Sequence, residues 1–142
     1  MIKFTIVTIT YNAADVFMRT ADSVARQTYA AVEHLIIDGA SSDGTQNLAE
    51  EYKKASDAAC NGHEVRIISE PDKGLYDAMN KGRRLATGDY VCFLNAGDFF
   101  PSADTLDVIA ANARLEECSS EGKPLPGVLY VIPTGWIMTA TI

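Results

Sequence analysis

The sequence predicts an α/β fold with a mostly parallel sheet flanked by helices, and two features of the chain lead to this class. Four apolar, β-rich segments alternate with segments whose apolar residues recur at helical spacing, which is typical of parallel strands joined by right-handed crossovers. Each apolar segment stops in glycine and polar residues, most abruptly at residues 90–98, which end in a lone carboxylate, Asp98. A length of 142 residues, 47% of them hydrophobic, suits one domain with a buried core.

The strands are predicted from β-branched and aromatic residues that are closed by turn formers. They fall at residues 4–10, 32–38, 65–69 and 90–95, and a further strand resumes at residues 127–130. The stretch after the second strand, residues 38–45, is dense in glycine, serine and aspartate and predicts a loop rather than a continued strand.

The helices are predicted from apolar spacing and from capping residues. The spacing favours helices over residues 14–27 and 75–86. Between them, Ser42 or Asp43 is suited to cap a helix that carries Leu48 and Tyr52 and fades over residues 54–63. Pro101 and Ser102 open a fourth helix.

Composition and charge exclude several classes of function. A net charge of -7 leaves no basic stripe to neutralise a nucleic acid backbone, so we expect no nucleic acid partner. No apolar run approaches the ~20 residues that span a bilayer, and the N-terminus resembles a first strand rather than a signal peptide. Cys60, Cys92 and Cys118 match neither a zinc pattern nor a disulfide framework. We therefore expect free thiols and a cytoplasmic protein, either free or peripheral at the inner face of the membrane.

The ends of the four main strands supply a group of candidate binding residues. Any one of them is more often a turn or cap residue than a ligand contact, but parallel strands bring their carboxyl ends to one edge, where ligands bind. Several carboxylates at one edge favour a cation, and Asp98, completed by diphosphate oxygens and water, suits Mg2+ or Mn2+. Asp38 either accepts from a nucleobase N–H or bonds the backbone of Ser41 as a turn residue. The group comprises Thr10, Tyr11, Asn12, Asp38, Glu70, Asp72, Asn95 and Asp98.

Four motifs, in this order, resemble those of the family 2 glycosyltransferases with the GT-A fold. They are Ile-Val-Thr-Ile-Thr-Tyr-Asn, Ile-Ile-Asp-Gly-Ala-Ser-Ser-Asp-Gly-Thr, Ser-Glu-Pro-Asp-Lys-Gly-Leu-Tyr-Asp-Ala-Met-Asn-Lys-Gly and Ala-Thr-Gly-Asp-Tyr-Val-Cys-Phe-Leu-Asn-Ala-Gly-Asp. The resemblance covers residues 3 to about 110. It implies a Rossmann-like GT-A sheet, incomplete at the C-terminus, and an inverting transfer of sugar from a nucleotide-diphosphate donor, in the first place a UDP-sugar. The acceptor it implies is a glycan, a polysaccharide or a lipid-linked glycan of cell-surface or capsule biosynthesis.

The resemblance also implies roles for individual residues. Thr10, Tyr11 and Asn12 match the loop that lines the nucleoside pocket, and Asp38 matches the acidic residue that bonds the base. Asp98 matches the last acidic residue of the DXD-type motif, which binds the divalent metal. The motif departs from the commoner pattern because Asn95 stands where aspartate is usual and Gly97 replaces a second acidic residue. The segment flanking ribose and diphosphate corresponds to Asp72, Lys73 and Asn80.

The C-terminal part is expected to lack the acceptor half and its general base. We interpret residues 1–130 as the nucleotide-sugar-binding part and residues 131–142 as an aberrant tail, because the tail has neither a polar loop nor a helical pattern. A one-base insertion after the codon of Tyr130 allows a polar strand-and-turn sequence similar to that of family members. On this hypothesis the chain is frameshifted and truncated, is inactive in transfer, and self-associates through apolar surface that the lost half would cover.

Two other enzyme classes share this sheet but lack support in the sequence. A Rossmann dehydrogenase needs a Gly-x-Gly-x-x-Gly turn after the first strand, and residues 10–14 contain no glycine. A nucleotidyltransferase needs a basic, glycine-rich phosphate loop near the first strand, which is also absent from the sequence there. A nucleotide-sugar-binding domain without turnover is the remaining alternative.

Overall fold

A computed structural model describes residues 2–117, 128–131 and 137–139 of the chain. Strands and helices alternate through most of this length, as the sequence predicts. The elements are β1 Phe4–Thr10, α1 Ala14–Ala25, β2 Val32–Asp38, α2 Thr45–Ala59, β3 His63–Ser69, α3 Leu75–Leu85, β4 Tyr90–Phe93, α4 Thr105–Glu117, β5 Val128–Val131 and β6 Ile137–Thr139.

The described strands form one sheet with the order β3-β2-β1-β4-β5-β6. The first five strands are parallel and β6 is antiparallel to β5. The chain adds β2 and β3 on one side of β1 and then returns to place β4 on its other side. This reversal opens a crevice beyond the carboxyl ends of β1 and β4, which is where open α/β sheets bind ligands.

Helix α2 is longer than the sequence predicts. The segment expected to fade stays helical as far as Ala59 because it is rich in alanine and carries a Lys53–Asp57 pair, 3.1 Å apart and one turn apart along the helix. The helix ends where the backbone turns left-handed, at Cys60 (φ 50°) and Gly62 (φ 89°). Helix α1, in contrast, ends two positions earlier than predicted, at Ala25.

Strands β3, β4, β5 and β6 also differ from the prediction. Strand β3 begins earlier, at His63, and β4 ends at Phe93, although the amides of Leu94 and Ala96 still donate to Val7 and Ile9 of β1. Strand β5 continues to Val131, and β6 lies inside the stretch that we interpret as an aberrant tail. That interpretation stays a prediction. The rest of the C-terminal part, residues 118–127, 132–136 and 140–142, lies outside the described residues.

The core lies on both faces of the sheet. On one face α3 packs against β1, β2 and β4, and it approaches so closely that a Cβ on Gly82 would lie 2.5 Å from the side chain of Val7. On the other face α1 and α2 cover the sheet through Phe17, Ala49 and Tyr52. Residues of α4 join the same side, where Leu106 is fully buried. Both faces are therefore covered, as a parallel sheet requires.

A buried polar chain crosses the second face. The imidazole of His34 lies 2.7 Å from the hydroxyl of Thr8 and 2.7 Å from that of Tyr52. Burial, with a further contribution from the charge of His63, lowers the pKa of His34 to about 3. The ring is therefore neutral at physiological pH, and it joins β1 to α2.

Within the described residues, no helix combines the length and the apolar content needed to cross a membrane.

Candidate functional site

The loops after β1 and β2 are joined to each other at the carboxyl edge of the sheet. The backbone amide of Asn12 donates to Ser41 Oγ at 2.8 Å, and Asn12 Oδ1 accepts from the amide of Ser42 at 2.9 Å. Asp43 accepts from Ala14 at 3.1 Å and from Thr45 at 3.1 Å, the first residues of α1 and α2. These bonds lower the pKa of the Asp43 carboxyl, the bond from the Thr45 hydroxyl most of all. One carboxylate thus serves two helix N-termini and fixes the loops between them.

Asp38, at the end of β2, lies beneath this pair of loops. Its side chain is only 1% exposed and accepts from the amide of Ser41 at 3.0 Å, from the Ser41 hydroxyl, and from the hydroxyl of Ser69 at 2.8 Å. The bond to the Ser41 backbone is the turn-residue alternative that the sequence left open. A carboxylate has about four acceptor positions, so three donors leave room for one more.

Tyr11 and Asp72 close over Gly39. A Cβ on Gly39 would lie 2.9 Å from Asp72 Oδ2 and 3.3 Å from Tyr11 Cδ1, so a larger residue after Asp38 would displace these two side chains. Asp72 is held by the amide of Gly74, which donates to its Oδ1 at 3.1 Å. The Tyr11 ring is 65% exposed. The ends of β1, β2 and β3 therefore meet around one point, with an aromatic ring open to solvent above it.

Two buried oxygen atoms at this edge have no hydrogen-bond partner among the described residues. They are Thr10 Oγ1, at the end of β1, and Asn95 Oδ1, just after β4. Buried polar atoms are almost always hydrogen-bonded, because burying one without a partner costs about 1–3 kcal/mol. Thr10 ends β1 and Asn95 lies just after β4, and these are the two strands between which the strand order reverses. The unpaired atoms therefore mark the crevice where a ligand would supply their partners.

Asp98 lies at the tip of the loop after β4. The loop turns at Gly97, whose φ of +99° is left-handed, and closes with a bond of 2.9 Å from the amide of Asp98 to the carbonyl of Asn95. Partial burial raises the pKa of the Asp98 carboxyl. Among the described residues, none donates a hydrogen bond to this carboxylate and none forms an ion pair with it.

The residues of this edge fit a divalent cation that takes most of its ligands from elsewhere. The described residues contain no group of three or more histidine, cysteine, aspartate or glutamate side chains able to hold a metal ion by themselves. Mg2+ is commonly bound through one or two carboxylates together with phosphate oxygens and water. A half-buried carboxylate at Asp98, unpaired among the described residues and in the same loop as Asn95 with its unpaired Oδ1, meets that requirement.

Three of the candidate residues are less closely tied to this edge. The carboxylate of Glu70 pairs with Lys81 of α3 at 2.9 Å, so it belongs to an ion pair rather than to the crevice. The Lys73 side chain is exposed, and its backbone amide donates to Asp77 at 2.9 Å. Asn80 lies in the second turn of α3 and is exposed, and no described contact joins it to the other candidates.

Sequence reasoning missed the residues that hold the site in place. Ser69 bonds Asp38, and Thr45 Oγ1 accepts from the amide of Ala13 at 3.2 Å. Thr20 of α1 bonds the loop that carries Asp98. Serine and threonine residues that hold a site in place follow no sequence pattern that distinguishes them from those on the surface. Only the fold therefore reveals these roles.

This geometry, a crevice at the reversal point of a parallel sheet with a carboxylate and unpaired oxygens, is that of an open α/β protein with a ligand site at the carboxyl ends of its strands. The family model for glycosyl transferase family 2 matches residues 5–118, and the chain belongs to this family. It is 41% identical over 108 residues to a PGL/p-HBAD biosynthesis glycosyltransferase of Mycobacterium tuberculosis, which covers 76% of this chain and 40% of that protein. It is also 32% identical over 122 residues to the uncharacterized glycosyltransferase YibD of Escherichia coli, covering 78% of this chain and 34% of that protein.

Solved structures agree with the GT-A assignment of the fold. The mannosyltransferase PcManGT of Pyrobaculum calidifontis, in complex with GDP-Man and Mn2+, superposes with a TM-score of 0.68 at 26% identity, covering 84% of this chain and 33% of that one. S. aureus TarS 1-349, in complex with UDP-GlcNAc, superposes with a TM-score of 0.69 at 23% identity, covering 81% and 32%. The chain spans about two fifths of the length of the mycobacterial relative.

Proposed function

We propose that this chain is the donor-binding part of an inverting glycosyltransferase that takes its sugar from a nucleoside diphosphate sugar, in the first place a UDP-sugar. The observation that carries the proposal is the set of unpaired oxygens in the crevice between β1 and β4. Thr10 Oγ1 and Asn95 Oδ1 are buried without partners, and the Asp98 carboxylate receives no hydrogen bond within the described part of the chain. A ligand that brings hydroxyl donors and a bound cation would satisfy all three.

The nucleoside end of the donor is assigned to the joined loops after β1 and β2. Thr10, Tyr11 and Asn12 line the pocket, with the exposed Tyr11 ring available to stack on a base. Asp38 accepts from the base N–H through the acceptor position that Ser41 and Ser69 leave free. The low exposure of Asp38 requires the base to enter beneath the loop, so this assignment also predicts a small movement of the loop on binding.

The diphosphate end is assigned to the loops after β3 and β4. Asp72, Lys73 and Asn80 flank the ribose and the diphosphate, and Lys73 contributes the positive charge. Asn95 lies beside the diphosphate, and Asp98 holds Mg2+ or Mn2+ on it. When bound, the cation stabilises the negative charge that grows on the leaving nucleoside diphosphate. The raised pKa of Asp98 fits this role, because a cation compensates the desolvation of its carboxylate.

The acceptor is a glycan or a lipid-linked glycan of the cell surface, at the cytoplasmic face of the membrane. In-line attack by its hydroxyl inverts the anomeric centre and requires a carboxylate base. Within the described residues, this edge has no carboxylate left for that task once Asp38, Asp72 and Asp98 serve the donor and Glu70 is paired. This observation favours a second candidate function, nucleotide-sugar binding without turnover.

Two measurements on the same protein test these functions. Thermal shift with UDP, GDP and TDP, each with and without Mn2+, should show the largest stabilisation with UDP and Mn2+, because a ligand bound to the folded state raises the apparent stability. Asp98→Asn should remove the Mn2+-dependent part and leave the melting temperature of the free protein unchanged. The same Mn2+-dependent shift in Asp98→Asn would refute the assignment of the metal.

Release of nucleoside diphosphate from UDP-sugars then separates the two candidates. Binding together with release supports the transferase, and binding without release supports the second candidate. Asp38→Ala should narrow the difference between UDP and the other nucleotides. An unchanged preference for UDP in that variant would contradict the assignment of the base.

A further inference from the structure

A row of buried polar side chains, two on α1 and one just past its end, faces the segment that carries Asp98. Thr20, Ser23 and Gln27 follow one another at helical spacing and are 0%, 2% and 4% exposed. An inward-facing helix position is ordinarily apolar, as Phe17, Ala21 and Val24 are in the same helix. These three buried polar side chains need hydrogen-bond partners. Each of them bonds at least one backbone group in residues 95–106. Ser23 and Gln27 also donate to the carbonyls of Thr20 and Ser23.

Thr20 bonds both sides of the turn that precedes Asp98. Its hydroxyl accepts from the amide of Gly97 at 2.8 Å and lies 3.4 Å from the carbonyl oxygen of Asn95, to which it donates. The backbone at Gly97 is left-handed. A Cβ built on Gly97 would lie 3.5 Å from the side chain of Val16 in α1, an ordinary van der Waals distance. Among the described side chains, Thr20 is the one that hydrogen-bonds this turn to the body of the protein.

Ser23 and Gln27 extend the attachment toward α4. Ser23 Oγ donates to the carbonyl of Thr20 at 2.8 Å and accepts from the amide of Phe100 at 3.2 Å. The Gln27 amide nitrogen donates to the carbonyl of Ser102 at 2.7 Å, and its oxygen accepts from the amide of Leu106 at 3.0 Å. The backbone at Phe100, Ser102 and Leu106 is therefore held by two buried side chains, one on α1 and one just past its end.

We propose that Thr20, supported by Ser23 and Gln27, is a positioning residue that sets the geometry of the Asp98 carboxylate for the cation and diphosphate. The inference rests on the proposed function of Asp98. Within the described residues the carboxylate has no donor of its own, so the backbone of its loop determines where it lies. That backbone is held by the bonds of Thr20 to Asn95 and Gly97. Two main-chain bonds add to them, from the amide of Ala96 to Ile9 at 3.2 Å and from the amide of Asp98 to Asn95 at 2.9 Å. Residues that orient a metal ligand commonly change metal affinity when they are altered.

The test compares Thr20→Val, which keeps the shape and removes the hydroxyl, with Thr20→Ser, which keeps the hydroxyl. The matched control is Thr5→Val at the opposite edge of the sheet. Thr5 is equally buried, accepts from a glycine amide (Gly88, 2.8 Å) and donates to an oxygen of Glu33 at 2.8 Å. It has the same kind of bonds as Thr20 but lies far from the crevice.

Three quantities are measured for each variant: Mn2+ affinity in the presence of UDP, hydrogen exchange of the amides at residues 96–98, and unfolding in urea. We expect Thr20→Val to weaken Mn2+ binding by about 10–100-fold, the range found when residues behind a metal ligand are altered. Exchange at Gly97 should also become faster. Thr20→Ser should restore both, and Thr5→Val should lose stability without any change in Mn2+ affinity.

Unchanged Mn2+ affinity in Thr20→Val, with faster exchange at Gly97, would overturn the inference. Equal weakening in Thr5→Val would also overturn it, because the effect would then be general destabilisation. Should Thr20→Val not fold, Ser23→Ala is expected to give a smaller loss of affinity, and unchanged affinity there would count against the inference. Asp98→Asn distinguishes failure of the proposed function, since normal Mn2+ binding in that variant removes the role of Asp98 itself.

Discussion

The two edges of the sheet differ in how their buried polar groups are satisfied. At the amino edge, Glu33 is 1% exposed and accepts from Thr5, from Arg66 at 3.0 Å, and from both the amide and the hydroxyl of Thr87. At the carboxyl edge, Thr10 Oγ1 and Asn95 Oδ1 are buried without partners. Since an unpaired buried group is costly, the satisfied edge serves stability and the unsatisfied edge is suited to a ligand. Polar residues at a strand end are therefore informative only once their partners are known.

The largest effect is expected from breaking the satisfied edge. Glu33→Ala would leave Arg66 without its carboxylate and the amide of Thr87 unpaired, so the free energy of unfolding should fall by about 3–5 kcal/mol. The matched control is Glu64→Ala, because Glu64 is exposed and pairs in register with Glu33. Its effect should stay within about 0.5 kcal/mol. Urea denaturation measures both, and a similar small loss in the two variants would contradict the structural role of Glu33.

A second large effect is expected from pH, through the satisfied polar chain at His34. The unfolded state binds a proton below about pH 6.5 while the folded state does not until about pH 3. The contribution of neutral His34 to the free energy of unfolding is therefore fully present above pH 6.5. It falls by about 1.4 kcal/mol for each pH unit below that value, or by about 2 kcal/mol at pH 5.

The window from pH 7 to 5 separates this effect from the titration of Glu33. Burial alone would raise the pKa of Glu33, but the bond from the Thr87 amide and then those from Arg66, Thr5 and the Thr87 hydroxyl lower it below 4.5. Its contribution is thus lost only below pH 4.5, as pH falls toward the folded pKa. Unfolding in urea at several pH values should show the slope in the parent and a flatter profile in His34→Gln. Equal slopes in both proteins would contradict a neutral, buried His34.

The sequence was sufficient for the alternation of elements and for the edge at which ligands bind, because both follow from local patterns. Thr10, Asn95 and Asp98 could be selected since each follows an apolar strand. The partners of these residues could not be selected, because they come from distant parts of the chain. Thr20 and Asn95 are 75 positions apart, and their bond depends on how α1 lies on the sheet.

The same reason explains the ambiguity at Asp38. The sequence offers both a base contact and a turn bond, and the deciding partners are Ser41, which is local, and Ser69, which is 31 positions away on β3. Only the register of β2 with β3, which pairs Asp38 with Ser69, places the second hydroxyl there. The end of α2 was misjudged for a different reason, since its alanine content outweighs its weak apolar pattern.

A smaller effect, but of opposite sign at the two edges, is expected from two threonines of β1. Thr5→Val removes a hydroxyl that serves Gly88 and Glu33, so stability should fall by about 1–3 kcal/mol with nucleotide binding unchanged. Thr10→Val removes a hydroxyl that has no partner, so the free protein should be unchanged or gain about 1 kcal/mol. Binding of UDP with Mn2+ should weaken in Thr10→Val alone. Loss of stability in Thr10→Val would mean that its hydroxyl is satisfied in the free protein.

The smallest effect is expected at Glu70. This residue lies at the carboxyl edge, but its carboxylate is paired, as that of Glu33 is at the amino edge. Its carboxylate bonds Lys81 at 2.9 Å and is more than half exposed, so solvent screens the pair and Glu70→Gln should cost only about 0.5 kcal/mol. If the role of a carboxylate depends on whether it is already paired, and not on its position at the edge, Glu70→Gln should bind Mn2+ in the presence of UDP as tightly as the parent protein does. Asp98→Asn should lose this affinity. Calorimetric titration of the two variants side by side makes this comparison. A loss of Mn2+ affinity in Glu70→Gln would show that position at the edge is sufficient, and that the pair with Lys81 opens when the nucleotide binds.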